Sequence, residues 1–239
     1  MAPGTNKILF IHGINLRPEK LNDIRSRITS SDTILVTLSG HGSLDSTKGV
    51  SAQIWKNELR SKILEHSQGE KVSLFGYSLG GILAVTLVLE DLNLPVDKIY
   101  LIAPAICIHL SKTYSFISKF CHTFIPFPLP SLGSSRYIAH RWFYPEFYKS
   151  LFDLVRAIKN VKTIREDIQV RAVFHPRDLL VNSKASDEML KKFFPKYSSD
   201  FSLFSKTRPI MNHLLVDEES LSKEYFEALL MDIREFFND

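Results

Sequence analysis

Gly76-Tyr77-Ser78-Leu79-Gly80-Gly81 stands between the apolar run Lys71 to Phe75 and the helix-forming stretch Ile82 to Glu90. The run before it reads as a buried strand and the stretch after it as a helix. A strand that turns sharply into a helix holds the residue at the turn in strained backbone angles, and glycine is needed on either side where a Cβ would strike the neighbouring chain. The same turn lifts a serine hydroxyl clear of the sheet and sets it at the positive end of the helix dipole, beside N–H groups that lack a helical partner. Ser78 is therefore the candidate nucleophile, and the amide of Leu79 a candidate oxyanion donor. The plainer alternative is a Gly-rich turn with an incidental serine. A phosphate-binding loop is disfavoured, because no Lys-Ser or Lys-Thr follows the glycines.

Outward from this turn, short apolar runs alternate with helical patterns. Lys7 to Ile11, Thr33 to Leu38, Lys71 to Phe75, Lys98 to Ile102 and Gln169 to Phe174 read as buried strands, each bounded by Gly, Pro, Asp or Ser, and Phe201 to Phe204 as a sixth. Trp55, Leu59 and Ile63 recur at helical spacing, as do Phe226, Leu229, Leu230, Ile233 and Phe237. The alternation predicts an α/β fold, a mostly parallel sheet with crossover helices on its faces. A chain of 239 residues, 44% hydrophobic and 23% charged, builds one sizeable core and folds as a single unit.

Residues 105 to 150 break the alternation. They hold 11 of the 27 Phe, Trp and Tyr residues, and Lys112, Lys119, Arg136, Arg141 and Lys149 against the single acid Glu146. Such a stretch is too aromatic for a solvated loop. A helix closes it, with Phe147, Leu151, Leu154, Val155, Ile158 and Val161 on one face.

The remaining composition narrows the setting. Cys107 and Cys121 form no Cys-x-x-Cys pair and have no histidine cluster at ligand spacing, so neither a zinc site nor a disulfide framework is expected. The N-terminal residues carry no signal-peptide pattern and no run approaches transmembrane length, which favours a cytoplasmic setting. A net charge of +4 does not by itself imply nucleic acid.

A nucleophilic serine needs a base and an acid that orients it, and in a strand-turn-helix arrangement of this kind the chain order is Ser, acid, His on loops after successive strands. Asp178, in His175-Pro176-Arg177-Asp178, follows the strand that begins at Gln169. His213 lies further on, before the final helix, and among eight histidines it is the only one C-terminal to Asp178. The plainer alternatives are a turn or helix-capping aspartate before the helix Val181 to Phe194, and a satisfied loop histidine. Asp187 and Asp200 are rival acids, with Asp200 expected to precede a strand, and His175 precedes the acid in chain order. At the first strand end, Phe10-Ile11-His12-Gly13-Ile14 puts the Ile14 amide where a second oxyanion donor belongs. His12 itself, and Ser39-Gly40-His41-Gly42 after the second strand, read as loop-stabilising elements.

Together these residues resemble the α/β-hydrolase superfamily, and within it the monoacylglycerol lipase, lysophospholipase and carboxylesterase group. Gly76-Tyr77-Ser78-Leu79-Gly80-Gly81 is similar to that group's Gly-His-Ser-Met-Gly-Gly, with Tyr77 in place of the usual His. Leu101-Ile102-Ala103-Pro104-Ala105 looks like its strand end before the cap, Arg177-Asp178-Leu179-Leu180-Val181-Asn182-Ser183-Lys184 like its acid loop, and Asn212-His213-Leu214-Leu215 like its base loop. The chain begins almost at the strand bearing His12-Gly13, so the resemblance implies a minimal sheet of about six strands without the N-terminal hairpin of many relatives. It further implies a core of residues 1–104 and 168–239, and an inserted cap or lid, 105–167, over the active site.

The implied activity is cleavage of carboxylic esters with apolar acyl groups through an acyl-enzyme on Ser78, with no metal or organic cofactor. The implied partner is a small ester or lipid-like substrate, with transient contact of the basic, aromatic cap on a membrane surface. The same Ser, Asp and His would equally serve an acyltransferase or an amidase or peptidase, and a non-catalytic ligand-binding module is a third reading.

Overall fold

The computed structural model describes residues 7–28, 32–43, 45–109, 127–131, 133–207 and 210–238. Six strands, β1 (Lys7–Ile11), β2 (Asp32–Val36), β3 (Val72–Tyr77), β4 (Val96–Ile102), β7 (Gln169–Val173) and β8 (Tyr197–Asp200), form one sheet in the order β2-β1-β3-β4-β7-β8. Every neighbouring pair in it is parallel. Two short strands, β5 (Leu129–Pro130) and β6 (Trp142–Phe143), form a separate antiparallel ribbon.

Successive residues of a strand face opposite sides of the sheet, and here both sides are buried. Leu9, Ile11, Leu74, Ile99 and Leu101 point to one face, into a core shared with Trp55, Leu59 and Ile63 of α2 (Ala52–Ser67). Ile8, Phe10, Phe75, Tyr100 and Ile102 point to the other, against Leu21, Ile24 of the single turn α1 (Asn22–Arg25) and the last helix α7 (Lys223–Asn238). The helix after the Ser78 turn, α3 (Leu79–Glu90), is buried at every position but its last, Glu90, and of the buried positions only Thr86 is polar.

The sixth strand differs from expectation. Phe201 to Phe204 forms a turn, and the strand is the preceding Tyr197-Ser198-Ser199-Asp200, so Asp200 ends a strand instead of preceding one. An edge strand has one neighbour and needs no apolar face. The apolar run beyond it serves packing, with Phe201 stacked on Phe174 at 5.1 Å and Phe204 fully buried.

Of the expected insertion, residues 110–126 lie outside the described residues, and with them Tyr114, Phe116, Phe120, Phe124, Lys112, Lys119 and Cys121. Its closing helix, α4 (Pro145–Ile158), begins on a proline at its first turn and lays Phe147, Leu151, Leu154, Val155 and Ile158 into the same core as β1 and α3. Two shorter helices, α5 (Ser183–Phe193) and α6 (Glu218–Leu221), complete the chain. Asn182 caps the first through the Ala185 amide and Asp217 the second through a capping box with Ser220. Among the described residues no helix is long and apolar enough to cross a membrane.

Candidate active site

The turn after β3 places Ser78 at φ 51° and ψ −107°, a left-handed backbone that a residue with a Cβ adopts only when its surroundings impose it. The surroundings are tight. A Cβ on Gly76 would lie 2.7 Å from the Gly81 Cα, and one on Gly80 would fall on the Ile11 carbonyl oxygen. Both glycines are required by close approach of backbone. The Ser78 amide donates to Ile102 O at 3.0 Å, and Gly80 N donates to His12 O at 3.0 Å, which fastens the turn to the ends of β4 and β1.

Asp178 and His213 come from loops far apart in sequence. Asp178 sits in a turn after β7 where its Oδ1 accepts from the amides of Leu180 and Val181, each at 2.8 Å. A carboxylate holding those two donors keeps Oδ2 for one more. That oxygen lies 2.7 Å from His213 Nδ1. An ionised carboxylate only accepts, so Nδ1 carries the ring proton and Nε2 presents its lone pair. Ser78 Oγ lies 3.0 Å from that Nε2 and donates to it. All three side chains are buried.

The acid and base loops are also tied to one another. Leu179 N donates to Met211 O at 3.1 Å, and Asn212 Nδ2 donates to Arg177 O at 2.9 Å. Met211 and Asn212 both have positive φ, which bends the chain so that His213 turns inward. The Tyr77 hydroxyl donates to the His213 carbonyl at 3.0 Å. Burial, with Asp178 and Asp217 nearby, raises the pKa of that phenol, so it stays a donor.

The loop after β1 closes the remaining side. A Cβ on Gly13 would lie 2.7 Å from the Tyr77 ring and 3.4 Å from Ser78 Cβ, so Ile14 follows a backbone in contact with the serine. Among the described residues, neither the Ile14 nor the Leu79 amide donates to another protein acceptor. His12 is buried and neutral, its Nδ1 donating to Gly13 O at 3.0 Å and its Nε2 accepting from Leu38 N at 3.2 Å. Burial lowers its pKa to about 4. His41 is held well below the usual histidine range by burial and then by His12, and its Nε2 accepts from Asn15 N at 3.0 Å.

The rival residues are occupied elsewhere. Asp187 accepts from Tyr197 Oη at 2.8 Å and pairs with Lys191 at 2.6 Å, and Asp200 binds Ser202 and Leu203. His175 bridges the Arg177 amide and the Thr207 carbonyl.

A six-stranded parallel sheet of this order, carrying its serine on a strained turn after the third strand in sequence and flanked by helices on both faces, decides the architecture. The chain has the α/β-hydrolase fold. Solved structures superpose on it over nearly its whole length. The monoacylglycerol lipase of Paleococcus ferrophilus aligns with TM-score 0.72 and 17% identity, covering 97% of this chain and 95% of that one. A structure from work on two metagenome-derived lipolytic enzymes gives 0.67 and 14%, covering 95% and 94%. One from work on carboxylesterases of the ammonia-oxidizing thaumarchaeon Nitrososphaera gargenis gives 0.64 and 18%, covering 99% and 92%. The sequence matches no protein-family model and no curated protein.

Within this α/β-hydrolase fold, sequence reasoning singled out Ser78, Asp178 and His213, which the structure brings together, and Ile14 and Leu79, whose backbone borders the serine. It missed the hydroxyl of Tyr77 and the side chain of Asn15. Tyr77 was visible only as a departure from a histidine. Asn15 follows a strand end and takes φ 50° there, a backbone that asparagine tolerates, but nothing in its sequence neighbourhood names the partners of its side chain.

Proposed function

We propose that the protein is a serine hydrolase that cleaves carboxylic esters with apolar acyl groups. The observation that carries this reading is the continuous hydrogen-bond chain from Ser78 Oγ through the His213 ring to Asp178. On the reading, His213 Nε2 takes the Ser78 proton as Oγ attacks the ester carbonyl, and Asp178 stabilises the imidazolium. The Ile14 and Leu79 amides bind the oxyanion of the tetrahedral intermediate. His213 then protonates the departing alcohol, and water repeats the attack on the acyl-enzyme, releasing the acid and restoring Ser78. The structural neighbours, described as lipases and esterases, favour esters as the substrate class.

The apolar preference draws on what borders the site. Leu179, Leu180 and Met211, on the acid and base loops, are exposed, and Ile14 is half-buried beside the serine. We further assign residues 105–167 as the cover of the site. Its described start runs along the acid loop, with His109 N donating to Leu180 O and Asn182 N to Cys107 O. Exposed Phe127 and Trp142, with Arg141, would rest on a lipid surface, and a cytoplasmic setting fits the free thiol of Cys107.

The test is hydrolysis of p-nitrophenyl and monoacylglycerol esters of graded acyl length. Ser78→Ala, His213→Ala and Asp178→Asn should each lower kcat by several orders of magnitude with the fold intact. Wild-type turnover no faster than that of Ser78→Ala would sink the reading.

A further inference from the structure

Asn15 makes five hydrogen bonds, which join the loop after β1 to His41 and to residues of the insertion. Its amide donates to His41 Nε2 at 3.0 Å, and its carbonyl accepts from Ala139 N at 2.9 Å. Its side-chain Nδ2 donates to Ser131 Oγ and to His140 O, each at 3.1 Å, while Oδ1 accepts from His140 N at 2.9 Å. The flanking chain repeats the pattern, with Leu16 bridged to Ile138 and Arg17 N donating to Tyr137 O at 2.8 Å. The residues directly after Ile14 are therefore clamped on one side to residues 131–140 and on the other to a neutral histidine.

The far end of that clamp is itself fixed. The Tyr137 hydroxyl donates to Asp217 Oδ1 at 3.3 Å, the Lys20 ammonium lies 4.6 Å above the Tyr137 ring, and Arg136 pairs with Glu219. His41 is wedged between His12, with ring centroids 4.3 Å apart, and Phe147 at 4.8 Å. A backbone amide has no side chain to steer it, so its direction depends on the torsions of its neighbours. Asn15, in a left-handed conformation with every polar atom engaged, fixes those torsions.

We propose that Asn15 is a positioning residue for catalysis: by locking the loop 13–17 onto residues 131–140 and His41, it aims the Ile14 amide at the oxyanion formed on Ser78. The proposal rests on the hydrolase reading and extends it. Part of the insertion then acts in turnover, because it sets the oxyanion site as well as bordering it.

The test compares wild type with Asn15→Gly, which keeps the positive φ and removes the three side-chain bonds. Steady-state hydrolysis of a soluble p-nitrophenyl ester, the rate of Ser78 phosphonylation by a fluorophosphonate, and the thermal midpoint are measured on each. Loss of an aimed oxyanion donor should lower kcat about tenfold to a hundredfold, and the phosphonylation rate with it, while KM stays within about twofold. Ser131→Ala, which removes one partner of the clamp, should lower kcat in the same direction by less. This second variant decides the matter if Asn15→Gly does not fold. A kcat within about twofold of wild type in the folded variants, or a change confined to KM, overturns the proposal and leaves the hydrolase reading standing. A wild type that neither hydrolyses the ester nor is phosphonylated overturns both.

Discussion

At the scale of single residues, the site is held by groups whose own chemistry is ordinary but whose partners are fixed. Tyr77 joins the serine turn to the base loop through one hydroxyl. Tyr77→Phe leaves the buried His213 carbonyl without its donor, which costs about 1–3 kcal/mol. Urea denaturation should show that loss, and kcat should fall with it as the imidazole is less firmly placed. His12 makes a second prediction at this scale. Its pKa is about 4 in the fold against 6.5 for the free side chain, so the unfolded chain binds a proton between those values that the folded chain does not. Stability contributed by the neutral ring is full above pH 6.5 and is lost as pH falls to about 4, amounting to about 3 kcal/mol for this residue. Denaturation midpoints measured across that window should fall steeply in wild type and less steeply in His12→Gln, whose amide oxygen can still accept from Leu38 N.

At the scale of elements, the serine turn depends on three strands meeting one helix with no room between them. Gly80→Ala places a methyl group on the Ile11 carbonyl, and strand β1 and helix α3 must part to admit it. The expected cost is about 3 kcal/mol or more, read as a lowered denaturation midpoint or as failure to fold. Helix α4 is the other critical element, since Phe147 is fully buried against Trp55 and His41. Phe147→Ala should cost about 3–5 kcal/mol by the same measurement.

The elements also explain what was legible in advance. The four inner strands, β1, β3, β4 and β7, were readable because they are packed on both faces and are correspondingly rich in apolar residues, and the edge strand β2 was readable from its apolar run Ile34-Leu35-Val36. Tyr197-Ser198-Ser199-Asp200 was not, because this edge strand is held by its one neighbour and by charge pairs such as Arg171 with Asp200, and its sequence carries no hydrophobic period. Ser78, Asp178 and His213 were readable from chain order and from the elements before them. Asn15 and Tyr77 were not, because their partners, residues 131–140 and the His213 carbonyl, are neighbours only in the folded chain.

At the scale of the whole molecule, the described aromatic residues of the insertion include two at each extreme of exposure. Tyr137 and Phe147 are buried and hold the insertion to the core, whereas Phe127 and Trp142 are exposed. If the exposed pair contacts lipid, replacing both by Ser should weaken hydrolysis of a monoacylglycerol presented in anionic vesicles and leave a soluble short-chain ester unaffected; equal loss on both would place the pair in the fold instead. The central claim, that the serine on the strained turn is a nucleophile activated by His213, is tested most directly by covalent labelling. A fluorophosphonate should modify the folded protein at a single residue, Ser78 by peptide mass, and labelling should vanish in Ser78→Ala and slow by orders of magnitude in His213→Ala. A folded wild-type protein that remains unmodified, or that is modified elsewhere with Ser78 untouched, contradicts the account.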